Sequence, residues 1–390
     1  MKLSTTSIST LLNENKIYRN LFWVLFSLAL IFLFFDTADN GHDFVVMYRA
    51  ASSYLHHEPI YSIERDGGMV FKYPPWWIFC FIPYALFPLS VAKALWAATN
   101  VGSLVSIFFS LMRLGFSFFS VSVSVMAFWG IWAVHFIDGQ VEVLVLALVL
   151  FLLEKLNNNK LPKYAAGIVY LMSIKGPSIL GAFGVFTKKN ILKVGSIFFI
   201  VISTVTLIAS LTTTHGMNIM SDWKDAASSG SQALEPGKAV LGRDNQGIPA
   251  MVHRVNGSFS AHALPELGVN GIVFVLGAVV ALYLFSGLSL IPRTFFWLAA
   301  GVVLHPLAWF HLFVWCLPLT VYVVDRAGKR EVNEIWFWFP LLLGAVTART
   351  LGSFGQSLEF YSFKSLVVCT GLVWFSIKSS ALTQSNPRHI

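Results

Sequence analysis

Charged residues are scarce in this chain. They make up 12% of its 390 residues, against about 25% in ordinary soluble domains, and 56% of the residues are hydrophobic. This composition excludes an ordinary soluble enzyme and indicates a polytopic membrane protein. The apolar stretches are continuous instead of alternating as in a membrane barrel, and a bilayer span must satisfy its backbone amides internally. We therefore predict that the spans are helices.

Cysteine is also rare. The chain has three, each within an apolar run: Cys80, Cys316 and Cys369. An odd count without close spacing gives neither a disulfide framework nor a metal-binding motif. We expect buried thiols that pack as small hydrophobic side chains.

Motifs for nucleotide or metal chemistry are missing. The sequence contains no Asp-x-Asp pair, no Walker loop and no Gly-x-Gly-x-x-Gly segment. These absences disfavour a metal site for a nucleotide-diphosphate leaving group, ATP hydrolysis and dinucleotide redox chemistry. We therefore expect no metal and no cofactor. Nucleic acid is not predicted as a partner either, because the net charge of +8 comes from short loops, where the positive-inside rule places basic residues.

Long apolar runs dominate what is present. A polar tail of about twenty residues precedes Leu21–Phe35, which we interpret as a retained first span. The clearest further runs are Ala94–Met112, Leu114–Val134, Val194–Leu211, Leu267–Pro292 and Thr294–Val324, the last being broken at Pro306. Shorter runs are Trp76–Pro88, Val143–Leu153, Tyr164–Ile174, Pro177–Phe186, Ile335–Ala348 and Ser365–Ile377. We predict an all-α polytopic membrane protein, a single integral membrane domain over 1–390 with about ten to thirteen transmembrane or re-entrant helices.

The basic residues orient the predicted helices. If they lie in the cytoplasm, the N-terminus is cytoplasmic and the protein belongs to the cytoplasmic (inner) membrane. The extracytoplasmic segments are then 36–75, 212–266 and the short turns 135–140 and 351–361. This topology requires Tyr164–Phe186 to enter the membrane from the inner side and return. Lys175, Gly176 and Pro177 form the tip of that hairpin.

The residues that can carry chemistry fall on the outer side: Asp43, Lys72, Asp138, Gln140, Glu142, Arg243, Asp244, Gln246, Arg254, His305, Trp309 and His311. Charges at a membrane boundary are costly, so their convergence on one face favours a functional site. A carboxylate such as Asp43 can deprotonate a hydroxyl, and cations can neutralise a leaving phosphate without a metal. A lipid phosphate would deliver its sugar to this surface from within the bilayer.

Several motifs follow one another in a fixed order: Asp43-Phe-x-Val-x-Tyr48, Pro59-x-Tyr61, Phe71-x-Tyr-Pro-Pro75, Trp96 with Asn100, Gly139-Gln140, Ile174-Lys175, Asp244-Asn-Gln246 with Arg254, and Trp309-x-His311 with Trp315-x-Leu-Pro318. This ordered set resembles glycosyltransferase family 87, whose members are membrane mannosyl- and arabinofuranosyl-type transferases of the GT-C class.

The resemblance implies a GT-C-type fold and a polyprenyl-phosphate-linked sugar donor, with mannose favoured. It implies inverting transfer on the extracytoplasmic face to an envelope glycan or glycolipid. It identifies Asp43 as the catalytic base and places His311 near the donor phosphate. We expect phosphate or substrate binding from Lys72, Lys175, Arg254, Gln140, Gln246, Tyr48 and Trp309, with His305 and Asp138 as a second group.

Four positions depart from the family pattern. Glu142 stands where the family commonly has Asn, and Gly247 replaces a usual Ser. His305 and Ala308 occupy positions that often hold Ser. These departures concern the sugar and acceptor pocket more than the class of reaction.

Structural roles stay open for the same residues. Asp43 can cap an amphipathic helix with an apolar face of Val45, Val46 and Ala50, and Lys72 can extend to lipid headgroups. Lys175 is a topogenic inner charge if the hairpin is shallow. Loop ion pairs, a helix cap, solvated turns or core packing are the alternatives for Arg254, His305, Asp138, Glu142, Tyr48 and Trp309.

Two other functions also stay open. A transporter or flippase of a lipid-linked sugar would be polytopic too, but it predicts polar residues through the bilayer depth and an inverted repeat, and neither is evident. A non-catalytic subunit of an envelope-assembly complex would leave the Asp43 face without a cavity.

Overall fold

Helices form the regular structure of the described chain, which confirms the all-α prediction. The computed structural model describes residues 15–66, 69–175, 179–187, 189–229, 245–256, 267–305, 308–329, 331–344 and 348–385. Within these ranges the strand-type pairing is confined to one isolated bridge between Asn245 and Trp309.

The α-helices follow the chain in this order: α1 (Lys16–Asp39), α2 (His42–Leu55), α3 (Ile63–Asp66), α4 (Ile82–Ala85), α5 (Leu89–Arg113), α6 (Phe118–Ala127), α7 (Trp129–Asp138), α8 (Glu142–Asn159), α9 (Pro162–Met172), α10 (Ile191–Thr212), α11 (Ile219–Ser229), α12 (Ile248–Asn256), α13 (Leu267–Phe285), α14 (Leu290–Leu304), α15 (Leu317–Gly328), α16 (Phe339–Gly344), α17 (Ala348–Phe360) and α18 (Phe363–Ser385). Short 3-10 helices cover Pro75–Cys80, Leu180–Gly184, Gly216–Asn218, Phe310–Cys316 and Glu334–Trp338.

Four helical segments of the described chain are long and apolar enough to cross a membrane: α1, α5, α10 and Phe310–Gly328. Two bent pairs raise the number to six if each counts as one span: α6 with α7, bent by 59°, and Ser353–Glu359 with Phe363–Ile377, bent by 55°. Shorter apolar helices accompany them. The predicted total of ten to thirteen includes short and re-entrant segments and stays a prediction.

Burial separates lipid-facing helices from central ones. Only 22% of the most apolar window of α1 is buried, and 17% of that of α10, so apolar side chains such as Phe32 and Phe199 face outward. A helix that is apolar on its exposed side fits a hydrocarbon environment. In contrast, 83% of the Phe310–Gly328 window is buried, which places this segment at the centre of the bundle.

Two predicted spans are interrupted. The Thr294–Val324 run breaks after Leu304, as expected, although Pro306 itself lies outside the described residues. The Leu114–Val134 run, predicted as one span, bends by 59° between α6 and α7. The indole Nε1 of Trp132 donates to the Val125 carbonyl at 2.8 Å, so the bend keeps this buried backbone oxygen hydrogen-bonded.

The segments predicted as outer loops contain helices. Segment 36–75 holds α2, a 14-residue helix, and segment 212–266 holds α11 and α12. In the predicted hairpin, α9 ends at Met172 and the chain turns through Lys175, while Gly176 and Pro177 lie outside the described residues. Much of the polar sequence that we predict to lie outside is therefore fixed on helices that can hold side chains in place.

Candidate active site

A contact between two glycines brings the first part of the site together. Gly41 precedes α2 with φ +48°, and Gly139 follows α7 with φ +66°, a left-handed conformation that favours glycine. A Cβ on Gly139 would lie 2.9 Å from the Cα of Gly41. The Trp96 indole donates to the Gly139 carbonyl at 2.8 Å and stacks on Phe44. The start of α2 is therefore held against the turn between α7 and α8.

Asp43 lies at this junction and is half-buried. It is the second residue of α2, and the N-cap is Gly41, so the alternative in which Asp43 caps the helix is wrong. The buried face of α2 also differs from that alternative, because it includes Phe44 and Met47. Burial raises the pKa of the Asp43 carboxyl; the Lys175 ammonium opposes this shift.

Gln140 connects Asp43 to a cation. Its Nε2 donates to the Oδ2 of Asp43, and its Oε1 accepts from the Nζ of Lys175 at 2.8 Å. Lys175 also donates to the Oε1 of Glu142 and lies 5.3 Å from the centre of the Tyr73 ring. One amide therefore joins a carboxylate on α2 to an ammonium group beyond α9, and we call Asp43, Gln140 and Lys175 the central chain.

Glu142, at the start of α8, has two histidines beside it. This carboxylate is fully buried, and the positive end of the α8 dipole favours its charge. The Nε2 of His311 is 3.8 Å from its Oε1, and the Nδ1 of His135 is 3.7 Å from its Oε2. On its other side, His311 has its Nδ1 4.0 Å from the Oδ2 of Asp138. We call Glu142, His135, His311 and Asp138 the acid–imidazole group.

Lys72 is exposed and lies within electrostatic range of the central chain. Partial burial lowers the pKa of its ammonium group, while Asp43 raises it and Lys175 lowers it further. The Lys72 carbonyl accepts from the indole of Trp223 at 3.0 Å, so α11 holds the backbone at this position. The predicted phosphate-binding cation Lys72 is therefore near Asp43.

Arg254, Gln246 and Trp309 lie in a neighbouring group. Arg254 donates to the Asn245 carbonyl at 2.9 Å and to Ser362 Oγ at 2.6 Å, and burial lowers its pKa to about 10. Gln246 donates to the Glu359 carbonyl at 2.8 Å. Asn245 pairs with Trp309, two residues before His311. The described hydrogen bonds of Arg254 therefore go to oxygen atoms of the protein. Arg243 and Asp244, the two residues before Asn245, lie outside the described residues.

Tyr48 and His305 have structural contacts. The hydroxyl of Tyr48 donates to the Phe87 carbonyl at 2.9 Å, on a different side of α2 from Asp43. His305 is the C-cap of α14, as the alternative for it proposed. Its carbonyl oxygen would lie 2.3 Å from a Cβ on Gly247, which gives a steric reason for glycine where the family often has serine.

Two histidines with notable contacts did not emerge from the sequence as candidates. His135 is fully buried, three residues before Asp138 and on the same helix face. His215 donates from Nδ1 to Asp222 and accepts from the amides of Ile60 and Tyr61 at Nε2. The position of His135 directly after the apolar run Leu114–Val134 could have identified it as a candidate. The role of His215 depends on a contact across more than 150 residues.

Within the described ranges, no three or more His, Cys, Asp or Glu side chains are arranged so that they could hold a metal ion, and this includes the acid–imidazole group. Metal independence is a separate matter and stays a prediction.

The chain was compared with known proteins. The model of glycosyltransferase family 87 matches residues 71–304, which is more than half of the chain. This range includes Lys72, Gln140 and Lys175, whereas Asp43 and His311 lie on either side of it. Searches of curated proteins and of solved structures gave no match. The hydrogen-bonded residues Asp43, Gln140 and Lys175 thus lie in a multi-pass membrane protein with apolar helices. The protein belongs to glycosyltransferase family 87.

Proposed function

We propose that this glycosyltransferase transfers a sugar from a polyprenyl-phosphate donor to a hydroxyl of an envelope glycan or glycolipid, with inversion at the anomeric carbon. Mannose is the first sugar to test, because the sequence resembles mannosyltransferases. The reaction takes place on the extracytoplasmic face within a GT-C-type fold, and it uses Asp43 as the base.

The observation that carries this proposal is the central chain. A transferase of this kind needs a base for the acceptor hydroxyl and a positive charge for the leaving phosphate, held at a fixed separation. Gln140 bridges two such groups, since it donates to Asp43 and accepts from Lys175. Because Gln140 engages Oδ2 of Asp43, the other carboxylate oxygen, Oδ1, is the one that takes the acceptor proton.

In the proposed step, the acceptor oxygen attacks the anomeric carbon as its proton moves to Asp43. The bond between that carbon and the phosphate oxygen breaks, and the lipid phosphate leaves with the electron pair. Lys175 and Lys72 stabilise the charge that develops on it, as cations do in other phosphate-leaving reactions. In this proposal, His311 approaches the phosphate oxygens from the Phe310–Gly328 segment.

Arg254 contributes indirectly in this scheme. It donates to the Asn245 carbonyl, and Asn245 pairs with Trp309, so the guanidinium supports the backbone that carries His311.

The charges at the two ends of α8 support the proposed orientation. This helix packs against α5, which is one of the segments long and apolar enough to cross a membrane. Glu142 begins the helix, and the basic residues Lys155 and Lys160 lie at its other end, where Arg113 also pairs with Glu154 at 2.8 Å. If the basic end is cytoplasmic, the acid–imidazole group is extracytoplasmic.

Purified protein in proteoliposomes provides the test. Lipid-linked mannose, arabinofuranose, glucose and galactose are offered with a mixture of envelope glycolipids, and both sugar transfer and lipid translocation are measured. We expect transfer from one donor, with an inverted anomeric configuration in the product. Translocation without transfer would support the flippase alternative and contradict this proposal.

A further inference from the structure

Glu142 is the most buried carboxylate of the site, and it is more than a partner for Lys175. Its Oε1 accepts from Lys175, while its Oε2 faces His135 Nδ1 at 3.7 Å. Among the described residues, neither Oε2 nor either ring nitrogen of His135 has a hydrogen-bond partner. Buried polar atoms are nearly always paired, so two facing atoms that are not paired indicate a place where a proton can be added.

The charges around the site also favour the addition of a proton. With the histidines neutral, the described groups comprise three carboxylates, Asp43, Asp138 and Glu142, and two ammonium groups, Lys72 and Lys175. One net negative charge remains. A donor phosphodiester carries another negative charge, and like charges in a partly buried site repel strongly.

We propose that Glu142 is a positioning residue that holds Lys175 in the free enzyme, and that the acid–imidazole group takes up a proton when the donor phosphate binds. This inference rests on the proposed function, because it places the phosphate near Lys175. The proton comes from solvent and no covalent bond changes. Uptake returns the net charge of the site to its value in the free enzyme and frees Lys175 to turn from Glu142 towards the phosphate.

The geometry of the acid–imidazole group suits such a proton. A protonated His311 can donate from Nδ1 to Asp138 and from Nε2 to Glu142, across present separations of 4.0 Å and 3.8 Å. A proton on the Glu142–His135 pair can bridge the 3.7 Å between them in the same way. Each separation needs to shorten by about an ångström to reach hydrogen-bond length. Among the described residues, Lys175, Tyr73 and, through Gln140, Asp43 are further titratable groups close to this cluster.

Calorimetry can count the proton. The probe is citronellyl phosphoryl mannose, a phosphodiester whose single charge does not change between about pH 5 and pH 9. Binding is measured at one pH in buffers with different ionisation enthalpies, and the dissociation constant is measured across that pH range. We expect uptake approaching one proton per ligand, and an affinity that weakens by up to about tenfold per pH unit where the group titrates.

Glu142→Gln removes the negative charge but keeps the shape of the side chain. We expect proton uptake close to zero and an affinity that varies little with pH. The matched control is Glu154→Gln, the same substitution on the same helix at the Arg113 ion pair, and it should retain the wild-type proton number. A residue with only a structural role would change affinity or stability in the Glu142 variant without changing the proton number.

Transfer is measured in the same preparations. An enzyme that transfers sugar but takes up no proton, or a Glu142→Gln variant that takes up as much as the wild type, contradicts the role of Glu142 and leaves the proposed function standing. If the wild type neither binds nor transfers any lipid-linked donor at any pH, the proposed function is wrong and this inference falls with it.

Discussion

Replacing Lys175 by Met separates the stability of the site from its activity. The Glu142 side chain is 0% exposed and that of Lys175 is 22% exposed, so the substitution leaves a carboxylate buried without its cation. Breaking a buried ion pair from one side costs on the order of 3–5 kcal/mol. We expect a loss of this size in the free energy of unfolding, less where Glu142 becomes protonated.

The double variant Lys175→Met/Glu142→Gln distinguishes the two effects. It removes both charges, and a neutral pair of similar volume is often as stable as the ion pair it replaces. Stability should therefore recover by most of the loss. Activity should not recover, because the cation for the leaving phosphate is still missing, and one such group is worth roughly a factor of 10²–10³ in rate.

Both quantities can be measured on protein in lipid nanodiscs, by tryptophan fluorescence during unfolding and by initial rates of sugar transfer. Lys93→Met is the matched control, since Lys93 is half-buried and donates only one described hydrogen bond, to the Asp39 carbonyl at 3.0 Å. If Lys175→Met is as stable as the control, or if the double variant regains full activity, the assignment of Lys175 is wrong.

Three further outcomes are expected. Activity requires ionised Asp43, and burial raises the pKa of this carboxyl. We therefore expect kcat/KM to fall on acidification with a midpoint above the ordinary Asp pKa of about 3.9. A midpoint at or below that value would contradict the role of Asp43 as the base. Gly139→Ala places a Cβ 2.9 Å from the Gly41 Cα at a positive φ, so we expect reduced transfer and a destabilisation of about 1–2 kcal/mol or more, on the order of the left-handed backbone penalty alone. Gly102→Ala is the control, because its added Cβ meets nothing within 4 Å inside α5; it should leave transfer unchanged and stabilise by about 0.5–1 kcal/mol. His215→Ala leaves the amide of Ile60 without its acceptor, and limited proteolysis should cut the α2–α3 region faster than in the wild type; equal rates would show that this contact is not needed.

Most of the long helices were predictable, because a long uncharged run can be identified from the local sequence without knowledge of its tertiary contacts. The runs Ala94–Met112 and Val194–Leu211 lie within α5 and α10. The 59° bend between α6 and α7 could not be predicted, because no proline marks it. It depends on how Trp132 packs and on its hydrogen bond to Val125.

The sequence predicted that several of the candidate residues lie near one another, but it did not predict which of them are in contact. The predicted topology placed Asp43 and Gln140 on one face and Lys175 at the tip of a re-entrant hairpin, and in the structure hydrogen bonds join the three. Which residues touch depends on the close approach of Gly41 to Gly139, residues nearly a hundred positions apart. A glycine in the sequence does not say which backbone it lies against.

The contacts of Arg254 could not be predicted from its charge. Substrate binding by this residue stays a prediction, and its guanidinium donates to Asn245 and to Ser362, which is 108 positions away. Glu142 departs from the family pattern, and in the structure it lies at the centre of the buried charges. The surroundings of Arg254 and of Glu142 both depend on residues that are distant in the sequence, so the local sequence does not indicate them.

The central claim is that Asp43 is the base, and a single comparison tests it most directly. Single-turnover transfer is measured for Asp43→Asn and for Asp39→Asn, the same substitution at an exposed position four residues earlier. With folding verified for both, we expect Asp39→Asn to match the wild type and Asp43→Asn to be slower by a factor of about 10²–10⁴, the usual contribution of general-base catalysis. Wild-type rates in a correctly folded Asp43→Asn protein would contradict the account.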